Sequence, residues 1–157
     1  MSSPGHGDAV PGWALGVGLL LASRALFDEL HRRLAAAGHD RLRPAHGFLF
    51  QALGEHGATA SEIAARLGIT KQAARLVVDD LAALGYVERG ADPADGRRRP
   101  VRLTARGYDA LRRSEAIFDE LRDELVPAVG PQGLADGLRL LGAIEARYGP
   151  VPLRPVW

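Results

Sequence analysis

The sequence has no cysteine, a single lysine and few aromatic residues. Of its 157 residues, 6% are aromatic, and every strongly basic residue except Lys71 is an arginine. A chain without cysteine forms no disulfide bond, binds no metal through thiolates and has no thiol that senses oxidants. These absences favour a cytoplasmic protein whose function does not depend on cysteine chemistry.

A hydrophobic segment long enough to cross a membrane is also missing. The longest apolar run near the start covers residues 13–22, whereas a spanning helix needs about 20 apolar residues. No cluster of basic residues precedes this run, so it lacks the pattern of a signal peptide. The sequence therefore predicts no membrane partner.

The net charge is close to zero. Lysine and arginine number 20 and the acids number 19, which gives a formal charge of +1. A bulk charge this small does not indicate a nucleic-acid partner. Any DNA binding must then depend on where the charges lie.

Patterns that indicate an enzyme or a metal site are absent. The sequence has no glycine-rich phosphate loop, and its adjacent acids, such as Asp79 and Asp80, point to different sides of a helix. Among the histidines His31, His39 and His46, no pair has the three- or four-residue spacing typical of metal ligands on a helix. The sequence therefore predicts no enzyme, no metal and no cofactor.

The spacing of apolar residues predicts a mainly α-helical fold with one small β-hairpin. Residues 1–12 are rich in proline and glycine and are predicted to form a flexible arm. The first helix is apolar nearly all round in its first half, so it is expected to be buried. The predicted helices are 13–37, 44–56, 59–67, 71–84, 105–125 and 132–148, and the predicted strands are 86–89 and 100–104.

Residues 59–84 have the signals of a helix-turn-helix. Thr59 and Glu62 have the spacing of a capping box, Gly68 ends the third helix, and Thr70 is a cap for the fourth. The fourth helix starts with Lys71, Gln72 and Arg75. Glutamine and arginine side chains recognise adenine and guanine in the major groove, and lysine contacts phosphates. The alternative is an amphipathic helix with a solvated polar face, which is preferred for Asp79 and Asp80, since they would repel phosphate.

The hairpin loop that follows is basic. Between residues 71 and 106 there are eight basic and five acidic residues. Arg97 is suited to a narrow minor groove, where Asp95 could hold its guanidinium, and its neighbours are suited to phosphates. A solvated charge run is the alternative. A hairpin after a helix-turn-helix indicates a winged helix over residues 38–104. The predicted DNA-binding residues are Thr59, Ser61, Thr70, Lys71, Gln72, Arg75, Asp95, Arg97, Arg98 and Arg99.

The run from Asp92 to Gly107 resembles the wing signature of the MarR (multiple antibiotic resistance regulator) family. The matching features are Asp92-Pro93, Asp95 with Arg97, the strand that ends in Leu103-Thr104, and Gly107 one turn into the next helix. Residues 69–89 are similar to the family's recognition helix and first wing strand. Gly96 and Pro100 depart from the pattern, so this wing is expected to differ from the family's in reach or stiffness.

This resemblance implies a homodimeric transcription regulator, most often a repressor, that binds a pseudo-palindromic operator. It implies that residues 13–37 and 105–157 are dimerisation helices. It further implies a small aromatic ligand, for which Trp13, His46, Phe50 and Tyr108 are candidate contacts. The alternative for each of these residues is that it belongs to the core. A second hypothesis is a winged-helix module that binds protein and not DNA, because the acids Asp79, Asp80, Asp92 and Asp95 lie near the predicted DNA face.

Overall fold

The computed structural model describes residues 11–54, 56–90 and 99–149. Within these residues, five α-helices and one two-stranded hairpin follow one another. The helices are α1 (Gly12–Leu34), α2 (Pro44–Leu53), α3 (Ala60–Leu67), α4 (Lys71–Ala83) and α5 (Ala105–Tyr148), and the strands are β1 (Val87–Arg89) and β2 (Val101–Leu103). The predicted fold class, a mainly helical winged helix-turn-helix with long outer helices, is confirmed. Most of the arm, the hairpin loop 91–98 and the tail 150–157 lie outside the described residues.

The helix-turn-helix is fixed by local caps. The Thr59 hydroxyl accepts a hydrogen bond from the Glu62 backbone N–H, and the Glu62 carboxylate accepts one from the Thr59 N–H at 2.7 Å. Gly68 takes the left-handed conformation that ends α3 (φ 61°). The Thr70 hydroxyl then caps α4 by accepting from the Ala73 N–H at 3.1 Å. The capping predictions for both helices are confirmed because each depends on contacts within four residues.

Two predicted helix ends are corrected. The first α-helix ends at Leu34, and a π-type turn over Ala35–His39 follows, which contains Gly38 at φ 91°. The second helix ends at Leu53 and not at residue 56, since Gly54 leaves the helical conformation. Gly57 instead lies in the following loop, where a Cβ atom would come within 2.5 Å of the Val101 carbonyl oxygen.

The hairpin is short and is anchored on both sides. Its strands pair antiparallel, with Val87 opposite Leu103 and Arg89 opposite Val101. Ala58 extends the sheet by exchanging two backbone hydrogen bonds with Val101, of 2.9 and 3.1 Å. The base of the wing is therefore held by the segment that leads into α3.

The core lies mostly beneath the winged helix. Buried apolar side chains from α2, α3, α4 and the hairpin form one cluster. The C-terminal end of α1 and the first half of α5 complete it. Its largest fully buried members are Tyr86, Leu49, Leu53, Ile63, Leu81 and Val78. Packing against this cluster fixes the position of α4.

The last helix differs from its prediction. It continues through Pro127 and is interrupted at Gly130 (φ 70°), so its first half is longer than expected. Its buried positions are Gly107, Ala110, Ile117 and Leu121. Leu121 is buried, whereas Tyr108, Phe118 and Leu125 on the same helix are exposed. The helix therefore has two apolar stripes, of which only one packs on the described part of its own chain.

The first half of α1 is exposed and not buried as expected. Its apolar side chains find no covering element in the described part of the chain. Together with the exposed apolar side chains of α5 they form what we term the apolar face. Its members are Trp13, Leu15, Val17, Leu20, Leu21, Leu26, Phe118, Leu125, Val129, Leu138, Leu140, Leu141 and Tyr148.

Charged side chains join α1 to α5 beside this face. The Arg33 guanidinium contacts Glu29 on its own helix and reaches Glu120 and Glu124 on α5, at 3.1 and 2.8 Å. Hydrogen bonds from Arg32 and Arg33 lower the pKa of Glu29 to about 2. Among the described residues, no helix has the length and apolarity needed to cross a membrane.

Candidate nucleic-acid interface

An open hollow with cationic walls lies between the start of α4, the start of α3 and the hairpin. Its volume is about 490 Å³. Lys71 and Arg75 enter it from α4, and Arg89 and Arg99 enter it from the hairpin. The start of α3 contributes Thr59, Ala60 and Ser61, and Val101 completes the wall. We call this feature the cationic hollow. Five of the predicted DNA-binding residues, Thr59, Ser61, Lys71, Arg75 and Arg99, are thus brought together.

The backbone fixes the walls of the cationic hollow relative to one another. The turn between α3 and α4 is closed by hydrogen bonds from Gly68 and Ile69 to carbonyls of α3, of 3.3 and 3.0 Å. Beyond α4, the Tyr86 N–H donates to the Leu81 carbonyl at 2.9 Å. The cations from α4 and from the hairpin are therefore carried by one packed unit.

The other predicted DNA-binding residues have different surroundings. Gln72 is exposed at the start of α4, one turn before Leu76. The Thr70 hydroxyl is already engaged as a helix cap, as is the hydroxyl of Thr59 in the cationic hollow. Asp95, Arg97 and Arg98 lie outside the described residues, so their roles stay predictions.

Each acid on the exposed side of α4 has a cationic partner. Asp79 forms an ion pair with Arg89. Asp80 forms an ion pair with Arg43, which precedes α2, and also contacts the His46 ring at 3.1 Å. Burial raises the pKa of Asp80, but the hydrogen bond and charge of Arg43, aided by His46, more than offset this and hold the pKa below its usual range. The negative charges that oppose DNA binding are therefore compensated within the protein.

His46 has a defined tautomer. Its Nδ1 accepts a hydrogen bond from the Arg43 backbone N–H at 3.2 Å, so the ring proton is on Nε2, which donates to Asp80. The side chain is almost fully buried. Burial, followed by the neighbouring charge of Arg43, lowers the pKa of His46 despite the opposing effect of Asp80. A neutral His46 thus links the start of α2 to the middle of α4.

A second polar cluster joins the winged helix to the outer helices. Buried His39 contacts the Tyr86 hydroxyl through Nδ1 at 3.0 Å and the Asp109 carboxylate through Nε2 at 3.1 Å. The Arg106 guanidinium lies over the Tyr86 ring at 4.8 Å and donates to the Gly38 carbonyl at 3.0 Å. Hydrogen bonds from Arg113 and His39 lower the pKa of Asp109. We call His39, Tyr86, Arg106 and Asp109 the polar joint.

Sequence reasoning missed both polar clusters. The contacts between segments join residues that are 20 to 70 positions apart, and no local pattern indicates them. His39 and His46 are buried, and a histidine that becomes buried needs hydrogen-bond partners. Their presence could have indicated polar clusters, but not which residues complete them. Among the described residues, no group of three histidine or acidic side chains is placed to hold a metal ion.

The four candidate ligand contacts also have different surroundings. Phe50 is buried and packs near the Tyr86 ring, with centroids 6.1 Å apart. His46 is engaged with Asp80. Trp13 and Tyr108 are 70% and 45% exposed on α1 and α5. The ligand site stays a prediction from the resemblance.

Comparisons with known proteins match the winged helix and then the whole fold. The MarR family model matches residues 42–98, which include the helix-turn-helix and the start of the wing. The LexA repressor of Deinococcus radiodurans is 36% identical over 93 residues, which are 59% of this chain and 40% of that protein. The chain thus spans less than half the length of the curated relatives that it matches.

Two solved structures share the fold over most of the chain. The reduced form of MarR from E. coli matches with a TM-score of 0.68 and 22% identity, over 88% of this chain and 98% of that one. A MepR mutant from S. aureus bound to an oligodeoxyribonucleotide matches with a TM-score of 0.58 and 20% identity, over 85% and 96% of the two chains. The family model covers the parts of the cationic hollow that α3, α4 and Arg89 contribute, and the shared fold extends to the outer helices. Residues 42–98 therefore match the MarR family, and the chain shares the winged helix-turn-helix fold of these structures.

Proposed function

We propose that this protein is a DNA-binding transcription repressor that acts in the cytoplasm as a homodimer on a pseudo-palindromic operator. The observation that supports this best is the cationic hollow, because it collects lysine and arginine from the recognition helix and the wing on one surface. Cations grouped in this way are suited to phosphates along a duplex. The MepR mutant that shares the fold is bound to an oligodeoxyribonucleotide, which agrees with the proposal.

In the proposed complex, α4 lies in the major groove. Gln72 and Arg75 contact base edges, and Lys71 contacts a phosphate at the start of the same helix. Arg98 and Arg99 hold phosphates from the wing, while Arg97, oriented by Asp95, enters the minor groove. The pairing of Asp79 with Arg89 and of Asp80 with Arg43 removes the repulsion that these acids would otherwise cause.

The proposed dimer is formed by the apolar face. An exposed apolar surface of this extent is unusual on a monomer and is typical of a protein interface. Leu20 and Leu21 on α1 and Leu138 on α5 are at least half exposed. At Gly16 and Gly18 an added Cβ would meet no atom within 4 Å, so a second backbone has room to approach α1 there. A two-fold dimer then presents two copies of α4 to half-sites about one helical turn apart.

The DNA proposal is tested by selecting duplexes from a random pool and measuring the affinity of the protein for them. Arg75→Ala should weaken binding about tenfold or more, since one bidentate base contact contributes about 1–3 kcal/mol. The matched control is Arg112→Ala on α5, an exposed arginine outside the cationic hollow, which should bind like wild type. The DNA proposal fails if no sequence is enriched or if the two variants are equally affected.

The dimer proposal is tested by sedimentation equilibrium. A double variant, Leu21→Asp with Leu138→Asp, should sediment as a monomer, because it would place four carboxylates in the interface of two chains. Leu76→Asp is the matched control, since Leu76 is equally exposed but lies on α4. A double variant that stays dimeric would remove the apolar face from the interface.

Two further parts of the proposal have their own tests. A small aromatic ligand that releases the DNA should raise the melting temperature of the protein and lower its DNA affinity.

The protein-binding module is the competing function. The hypothesis of a protein-binding module is weakened because arginines pair with Asp79 and Asp80. Its other two acids, Asp92 and Asp95, lie outside the described residues. If this protein enriches no DNA sequence in the selection, the protein-binding module becomes the better hypothesis.

A further inference from the structure

The outward face of the recognition helix carries an apolar side chain. Ala74, Val78 and Leu81 are buried on the inner side of α4. Successive residues of an α-helix are rotated by about 100°, so Leu76 lies roughly opposite Ala74. In agreement, Leu76 is 65% exposed, although its neighbour Val77 is half-buried. Leu76 is therefore an exposed apolar side chain in the middle of α4.

The neighbours of Leu76 are polar and have other assignments. Gln72 lies one turn before it on the same strip, and Arg75 is turned toward the cationic hollow. Asp80, one turn after it, is held by Arg43 and His46. Single exposed leucines are common on protein surfaces and need no explanation by themselves. What distinguishes Leu76 is its place on the strip that a winged helix presents to a groove.

We infer that Leu76 contacts the C5-methyl group of a thymine in the major groove and so selects thymine at one position of each half-site. The inference rests on the proposed function. The thymine methyl is the one apolar group that the major-groove edges of the base pairs display. A leucine offers no hydrogen bond, so it distinguishes bases by this methyl group. Gln72 and Arg75 would then read the adjacent bases by hydrogen bonds.

Part of the surface beside Leu76 is concave. A hollow of about 310 Å³ is lined by Leu76 and Val77 of α4 and by Arg43, Ala45, His46 and Asp80. An apolar side chain of another protein could also be seated at its rim, and the experiment separates this outcome. Lys71 and Arg75 are the cations nearest to Leu76 along α4, and they favour DNA over a protein as its partner.

The test replaces thymine by deoxyuridine, which removes only the methyl group. After selection of a binding duplex, each thymine is replaced in turn, and the affinity of wild type and of Leu76→Ala is measured. Wild type should lose about three- to tenfold at one symmetry-related pair of positions, as expected for burial of one or two methyl groups. Leu76→Ala should bind the thymine duplex more weakly and should lose nothing further at that pair. This coupling is the signature of a direct contact.

Two controls keep the result specific. Leu76→Met, which preserves an apolar side chain, should remain sensitive to the methyl group, and equal melting temperatures of the variants should show that folding is intact. If wild type enriches a duplex but no thymine position couples to Leu76, the inference is overturned and the proposed function stands. If wild type enriches no duplex, both are overturned, and a protein partner for Leu76 becomes the better account.

Discussion

The winged helix and the outer helices of this protein solve the burial problem in different ways. In the winged helix, Leu49, Ile63 and Leu81 are completely buried, and the apolar side of each short helix has a partner within the chain. On α1 and the second half of α5, apolar side chains of similar size are exposed. The first region carries its own core, whereas the apolar side chains of the second have no covering element among the described residues. We infer that one region positions the recognition helix and that the other decides how many recognition helices act together.

The largest expected effect compares the loss of stability on truncating a side chain in the core of the winged helix with the loss on truncating one in the apolar face. Leu49→Ala should lower the free energy of unfolding by about 2–5 kcal/mol, because it leaves a cavity in a packed core. Leu21→Ala, at a position that is 60% exposed, should cost less than about 1 kcal/mol when unfolding is measured below the dissociation constant of the dimer, yet it should weaken the dimer. Chemical denaturation of both variants at several concentrations provides the measurement. Equal losses of stability would break the comparison.

The next effect concerns the contact between wing and outer helix. A Cβ atom on Gly107 would lie 2.2 Å from the Tyr86 carbonyl oxygen and 2.9 Å from a methyl carbon of Leu103. Gly107→Ala should therefore cost about 1–3 kcal/mol by forcing the hairpin away from α5. Gly47→Ala is the control, since Gly47 lies in α2 with no atom within 4 Å of the added Cβ, and it should stabilise the protein by about 0.5–1 kcal/mol. Thermal unfolding of both variants measures the difference, and a neutral Gly107→Ala would contradict this packing.

The same glycine shows what could be predicted from sequence. Gly107 was recognised as part of a wing pattern, but only the structure gives its reason, a close approach to the Tyr86 carbonyl. The caps at Thr59 and Thr70 were predictable because both partners of each hydrogen bond lie within four residues. The end of α2 was not, because Gly54 and Gly57 are both turn residues, and Gly57 is needed for contact with Val101.

For the outer helices, prediction from the sequence is limited because their packing depends on contacts between distant segments. A sequence with apolar residues on two sides of α5 does not reveal which stripe faces its own chain and which a partner. On α5, for example, Leu121 is buried whereas Tyr108 and Phe118 are exposed. At the candidate interface, Lys71, Arg75 and Arg99 could be predicted from motif position, whereas the ion pair of Asp80 with Arg43 joins segments 37 residues apart and could not.

An effect of similar size tests the polar joint between the two regions. The Tyr86 hydroxyl lies within hydrogen-bond distance of His39 and of Arg106, at 3.0 and 3.1 Å. Tyr86→Phe should lower the free energy of unfolding by about 1–3 kcal/mol, because it leaves buried His39 with one partner fewer. Tyr148→Phe, at an 81% exposed position, is the control and should change little. Urea titrations of both variants measure this, and equal midpoints would show that the joint contributes nothing.

The smallest expected effect is the response of the α2–α4 link to pH. Burial lowers the pKa of His46 in the folded state, while in the unfolded chain histidine takes up a proton near pH 6.5. As the pH falls below about 6.5, the unfolded state binds more protons, so the free energy of unfolding decreases, by less than about 1.4 kcal/mol per pH unit. His46→Gln should make this decrease smaller. Unfolding titrations at pH 7.5 and 5.5 test it, and an unchanged decrease in the variant would exclude His46 as its source.

The most direct test of the central claim is the salt dependence of binding to a selected duplex. If two subunits each place Lys71 and Arg99 on phosphates, at least four phosphates are neutralised, and the logarithm of the association constant should fall with the logarithm of salt concentration at a slope of about −4 or steeper. Arg99→Ala should make the slope shallower by about 2, one contact from each subunit. Fluorescence anisotropy between 50 and 300 mM salt (roughly the range in which such contacts dominate) provides the measurement. A slope near zero, or one that Arg99→Ala leaves unchanged, would contradict the account.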